Sequence, residues 1–123
     1  MNESFKQEVK NRWGNTKAYT EYLDKTKKYS TETFDSLSKG LDKIFYEFSV
    51  CMNDNAPDSA DSLFLVKKLK DYITVNFYEC TNDLLYNLGQ MYVQDERFEN
   101  NIDKHKKGTA LFIKDAITIF CKK

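Results

Sequence analysis

Glycine and proline are scarce, with four of the first and one of the second in 123 residues. Strand-rich folds need such residues at their many turns, so the scarcity argues against a sandwich or barrel and for a few long helices. Histidine occurs once, as His105 between Lys104 and Lys106, which excludes a histidine-based metal site of the H-E-x-x-H kind. Its charged neighbours predict a side chain that faces solvent. The three cysteines, Cys51, Cys80 and Cys121, are odd in number and lack C-x-x-C spacing, so neither a disulfide framework nor a zinc site is expected. A reducing compartment, the cytoplasm, fits that usage. Net charge is missing too: nineteen Lys and Arg balance nineteen Asp and Glu, leaving no long-range field for nucleic acid or anionic lipid. The glycines stand singly at 14, 40, 89 and 108, without a phosphate-cradling loop, so no nucleotide cofactor is expected, nor any other. The longest apolar run, Leu63 to Val66, cannot span a bilayer, and Met1 to Lys6 does not resemble a signal peptide. A pairing of Cys80 or Cys121 with His105 is the one arrangement open to nucleophilic catalysis, and the charged setting of the histidine argues against it. Binding, not catalysis, is expected.

What is present is aromatic. Hydrophobic residues make up 41% of the chain and charged ones 31%, both ordinary, but nine Phe and eight Tyr raise the aromatic share to 15%. The length suits one all-α domain of about six to seven helices. Phe5, Val9 and Trp13 recur every four residues up to Gly14, and Tyr19, Tyr22, Leu23 and Thr26 mark the inner side of a second helix from Thr16 to about Lys28. A third and longest helix opens at Ser30 or Thr31 and carries Phe34, Leu37, Leu41, Ile44, Phe45, Phe48 and Met52 as far as Asn53. Asp58 or Ser59 caps a fourth with Val66, Leu69, Ile73 and Phe77 on one face. Thr81 caps a fifth with Leu84, Leu85, Leu88, Met91 and Tyr92 inward, and Asp95 a short sixth with Phe98 and Ile102. Gly108 closes that segment, and Phe112, Ile113, Ala116, Ile117 and Phe120 stripe the last helix. The aliphatic periodicity of a self-sufficient core begins at about Ser30. Residues 1–29, rich in Tyr and Trp and poor in Leu and Ile, read instead as a mobile helical lid over the core of 30–123, hinged at about Tyr29.

Three segments in order carry a more specific signal: Arg12-Trp13-Gly14-Asn15-Thr16, then Phe77-Tyr78-Glu79-Cys80-Thr81, then Gly89-Gln90-Met91-Tyr92-Val93-Gln94-Asp95-Glu96-Arg97-Phe98. With Gly108-Thr109-Ala110 and Ala116-Ile117 near the end, the chain resembles the TipA-type antibiotic-recognition domain, TipAS, over essentially its whole length. The resemblance implies a globin-like helical fold without haem, whose cleft takes large, flat, heteroaromatic antibiotics of the thiopeptide class. It implies a sensor of MerR-type transcriptional activators, with N-terminal helices that order on binding and a DNA-binding domain attached in the native gene. It also implies a cysteine open to alkylation by dehydroamino acids of the antibiotic, and Cys80 occupies that position. No helix-turn-helix precedes residue 1, so the chain is expected to be an excised sensor or a free-standing, drug-sequestering member.

The residues agree with that class of ligand. Thiazole-rich, weakly charged molecules need aromatic faces with a few hydrogen-bonding groups, and tyrosine supplies both at small entropic cost. Trp13, Tyr19, Tyr22, Phe77, Tyr78, Cys80 and Tyr92 form the expected ligand set, with Cys80 as the point of covalent attachment. Trp13 can equally anchor the first helix to the core, and Tyr19, Tyr22 and Tyr78 can be structural. Cys80 precedes the Thr81 cap, where a helix dipole lowers a thiol pKa, with Glu79 opposing. Cys51 and Cys121 read as small buried apolar groups. The alternative function is a protein-interaction module receiving a partner's amphipathic helix.

Overall fold

A computed structural model describes residues 17–122, and their side chains from residue 20 onward. The helix expected from Phe5 to Trp13 therefore lies outside the described residues. Six helices follow: α1 (Lys17–Thr26), α2 (Thr31–Cys51), α3 (Ala60–Asn76), α4 (Asn82–Gln94), α5 (Glu96–Asp103) and α6 (Thr109–Cys121). There is no strand among the described residues.

Four of the helix starts follow from one local device. Ser30, Ser59, Thr81 and Asp95 hold extended backbone, and their side-chain oxygens accept from the N–H groups of Thr33, Ser62, Leu84 and Arg97, respectively. Each satisfies a donor that the first helical turn leaves open. The start of α6 is different. Gly108 takes φ 93°, a left-handed conformation that a Cβ would strain. The capping acceptor comes from Asp103, whose carboxylate accepts from Gly108 N–H at 3.2 Å and Ala110 N–H at 2.8 Å.

Packing follows the apolar stripes. Phe48, Val66, Leu69, Leu85, Ile102, Ile113 and Ile117 are fully buried. Each is worth about 1.5–3 kcal/mol of transfer free energy before ordering costs. α4 lies against α6, with Gly89 facing Ile117 so closely that an added Cβ would sit 3.4 Å from its side chain. α3 crosses α2 where Gly40 leaves room for the Tyr72 ring, whose hydroxyl donates to Leu37 O at 2.7 Å. None of the described helices is long and apolar enough to cross a membrane.

Three expectations change. Leu23, read as an inward position of α1, is 47% exposed, because the helix turns Tyr22 and Thr26 to the core instead. His105 is not solvent-facing: its ring is largely covered, packs edge-on against Tyr46, and its Nε2 lies 2.9 Å from Asp42 Oδ1 on α2. Cys51 and Cys121 are partly buried and make polar contacts, Cys51 Sγ with Ser62 Oγ and Cys121 Sγ with Asn82 O at 3.3 Å.

Candidate functional site

The connection between α3 and α4, residues 77–81, carries most of the expected site. α3 ends because Phe77 leaves helical backbone at φ −127°, ψ −55°, and the chain folds back on the helix it has just left. Phe77 and Tyr78 both donate their N–H groups to Ile73 O, and Cys80 N–H donates to Thr74 Oγ1 at 3.1 Å. This return drives Phe77, Tyr78 and Cys80 inward, each 1% exposed. Tyr92 arrives from α4, buried between Phe45, edge-on at 5.5 Å, and Phe98 at 6.2 Å.

α1 sits on this connection. Tyr22, 2% exposed, stacks on Phe77 with ring centroids 6.3 Å apart and planes 25° from parallel. One residue earlier, Glu21 Oε2 accepts from Glu79 N–H at 3.2 Å. Thr26 is buried as well, its hydroxyl donating to Tyr22 O within α1. After the helix, Tyr29 packs edge-on against Phe34 and donates its hydroxyl to Asn76 O at 2.8 Å, so the expected hinge residue is pinned to the end of α3. Tyr29, Phe34, Tyr22, Thr26 and Lys27 line a cleft of about 410 Å³ beside α1. That volume lies within the size range of small-molecule sites. A second depression of about 510 Å³, bordered by Asn82, Tyr86, Thr118, Cys121 and Lys122, lies where α4 begins and α6 ends.

Five expected ligand residues, Tyr22, Phe77, Tyr78, Cys80 and Tyr92, thus form one cluster. Trp13 lies outside the described residues, as does the side chain of Tyr19. The electrostatics of the cluster are those of a sealed site. Burial pushes the Tyr78 phenol well up, with Cys80, Tyr92 and Tyr22 adding to the effect. Burial, and then Cys80, push Tyr92 up as well. Burial pushes the Cys80 thiol up to about 12, against a smaller opposing pull from the Lys70 ammonium and a push from Cys121. The thiolate expected from the dipole of α4 is thereby reversed, since removing a thiol from water disfavours its charged form more than one helix terminus favours it. Cys121, nearer the surface, is also raised, chiefly by burial.

Sequence reasoning missed Tyr29, Phe34 and Lys27 as cleft walls. The aromatic share of the segment was the available signal, but the pairing of Tyr29 with Asn76 spans 47 positions and leaves no local trace. The Asp42 partner of His105 was missed for the same reason, being 63 positions away.

Known proteins share this arrangement of chain. Residues 5–120 match the model of the TipAS antibiotic-recognition domain. The HTH-type transcriptional activator TipA of Streptomyces coelicolor is 35% identical over 116 residues, covering 94% of this chain and 46% of the relative. The HTH-type transcriptional activator mta of Bacillus subtilis is 31% identical over 120 residues, covering 97% and 46%. The chain therefore spans about half the length of the curated relatives it matches. Among solved structures, TipAS of Streptomyces lividans in complex with nosiheptide, from a thiopeptide multidrug resistance system, aligns with a TM-score of 0.83 and 33% identity. That alignment covers 97% of this chain and 84% of the other.

Proposed function

The chain belongs to the family of TipAS antibiotic-recognition domains, and from that premise we propose that it binds thiopeptide-type, heteroaromatic antibiotics at the cluster beneath α1. The observation that carries the assignment to this cluster is the convergence of Tyr22, Phe77, Tyr78, Cys80 and Tyr92 in one place, next to the cleft walled by Tyr29 and Phe34. Flat aromatic faces with inward-turned phenols suit a ligand of linked thiazoles, which stacks well and offers few charges.

Residues 1–29 act as the lid and 30–123 as the platform. α1 grips the platform through Tyr22 and Glu21, and a ligand that enters exchanges those contacts for its own. Trp13 and Tyr19 complete the binding surface from the lid side. Cys80 supplies the thiol for an antibiotic that carries a dehydroamino acid: the sulfur adds to the carbon–carbon double bond and the thiol proton ends on the adjacent carbon. Binding, rather than turnover, is the chain's task. As the sensing part of a longer activator it passes occupancy to an attached DNA-binding domain, and as a free chain it sequesters the drug in the cytoplasm.

Titration with nosiheptide or thiostrepton tests the reading. Trp13 is the single tryptophan, so its emission reports on the lid directly. A shift in emission, and stabilisation of about 2.7 kcal/mol at a hundredfold excess over Kd, are expected. Unchanged emission together with an unchanged melting temperature at saturating drug would overturn the assignment.

A further inference from the structure

We propose that Cys80 and Cys121 form a redox pair, which a hydroperoxide oxidises to a disulfide tying the end of α6 to the connection between α3 and α4. The proposal rests on the antibiotic reading only for its consequence, that a bridged chain offers no free thiol at position 80. Its test uses no antibiotic, so either reading can fail alone.

The two sulfurs converge on one helix start. Cys80 Sγ donates to Thr81 O at 3.9 Å and Cys121 Sγ to Asn82 O at 3.3 Å, so the thiols rest on neighbouring carbonyls where α4 begins. Lys70 reaches the same place from α3. Its ammonium donates to Asn82 Oδ1 at 2.8 Å and lies 5.9 Å from the centre of the Phe120 ring, one residue before Cys121. Burial raises both thiols, the Lys70 ammonium opposes it at each, and Cys121 pushes Cys80 further up, an effect that requires the two sulfurs to be near each other. Both cysteines also stand at element ends, Cys121 as the last residue of α6 and Cys80 in the connection ahead of α4. Backbone there can adjust to the narrow geometry that a disulfide demands. The third thiol is elsewhere. Cys51 Sγ lies against Ser62 near the start of α3, whereas Cys80 N–H bonds Thr74 near its end, positions about 18 Å apart at helical rise.

Exposure divides the labour. Cys121 is partly exposed at the rim of the second depression and meets the oxidant first, while Cys80 is 1% exposed. The Cys121 thiolate attacks one oxygen of the peroxide, the O–O bond breaks, and a sulfenic acid forms as the departing hydroxide takes a solvent proton to become water. The Cys80 sulfur then displaces the hydroxyl from the sulfenic sulfur, and the Cys80 proton leaves with it as a second water. Two thiols are oxidised and one peroxide is reduced.

Hydrogen peroxide added to the whole chain at pH 8 and micromolar concentration, with free thiols then blocked by iodoacetamide and peptides mapped without reductant, reads the pairing. The intact mass should fall by two hydrogens, the Cys80–Cys121 bridge should exceed every other pairing by about tenfold or more, and a dithiol reductant should reverse it. Cys51→Ser should leave the bridge in place, whereas Cys121→Ser, a substitution at a partly exposed site, should abolish it. In urea the preference should vanish in favour of the shorter Cys51–Cys80 loop. Selective bridging in the folded chain that is lost in urea supports the pair. Oxidation of Cys121 to sulfinic acid while Cys80 stays a free thiol, bridges mainly between chains, or the same mixture of pairings with and without urea overturns it.

Discussion

α1 and α6 are both short amphipathic helices, of ten and thirteen residues, yet they serve the fold in opposite ways. α6 buries Thr109, Ala110, Phe112, Ile113, Ala116 and Ile117, and is locked at its start by Asp103 and Gly108. α1 places Tyr22 and Thr26 inside, leaves Leu23 at 47% exposure and meets the 77–79 segment through Tyr22 and Glu21. The aromatic cluster belongs to the same buried core as the aliphatic side chains of α6, but among its described side chains α1 adds only Tyr22 and Thr26 to the interior. Function of the proposed kind needs that division, because a ligand can displace an element only if the contacts it replaces are worth no more than its own.

The comparison breaks most visibly through Phe48, which is fully buried and meets Phe112 edge-on at 6.4 Å. Phe48→Ala is expected to cost about 3–5 kcal/mol in urea unfolding, the range for an aromatic truncation that leaves a cavity. Tyr22→Ala also removes a buried ring, but α1 can detach rather than leave a cavity, so its cost is limited to the docking free energy, about 1–2 kcal/mol. Equal losses for the two variants would place α1 within the cooperative core and erase the distinction.

Titration sharpens it further. A thiol raised to about 12 in the folded chain favours the fold at low pH; the stabilisation is complete below the ordinary thiol pKa and is lost as pH rises toward 12. Alkylation of Cys80 by iodoacetamide should therefore climb by about tenfold per pH unit from pH 8 to 10, because the buried neutral thiol remains the dominant species. A plateau near pH 9 would mean that the Cys80 thiol is not buried in solution. A smaller effect is expected at Thr81, whose hydroxyl caps α4 through Leu84 N–H at 3.2 Å. Thr81→Ala should lower stability by about 1 kcal/mol, read as a shifted urea midpoint at constant slope.

The helix starts at Ser30, Ser59, Thr81 and Asp95 were legible because a cap is a contact between residues two or three apart, and the inward stripes of α2 to α6 because helical period maps neighbours onto one face. The whole-chain family resemblance was legible from motif order. Orientation within α1 was not: Tyr22 and Leu23 are adjacent and both apolar in part, and only the position of Phe77 decides which one turns inward. The thiol of Cys80 was misjudged for a related reason. Its helix terminus is visible in the sequence, whereas the burial that outweighs it arises only when the chain packs.

The mildest test concerns Glu21. Its carboxylate accepts from Glu79 N–H at 3.2 Å, a contact exposed to solvent. A charged acceptor strengthens the bond to the amide. Glu21→Gln keeps an acceptor oxygen of the same reach at an exposed contact, so global stability should change by less than about 0.5 kcal/mol. Glu21→Ala removes the acceptor altogether, and hydrogen exchange at the Glu79 amide should quicken in that variant but not in Glu21→Gln. Quickening in both would mean that charge holds α1 down, whereas protection in both would leave the Tyr22–Phe77 stack as the principal contact of α1 with the 77–79 segment.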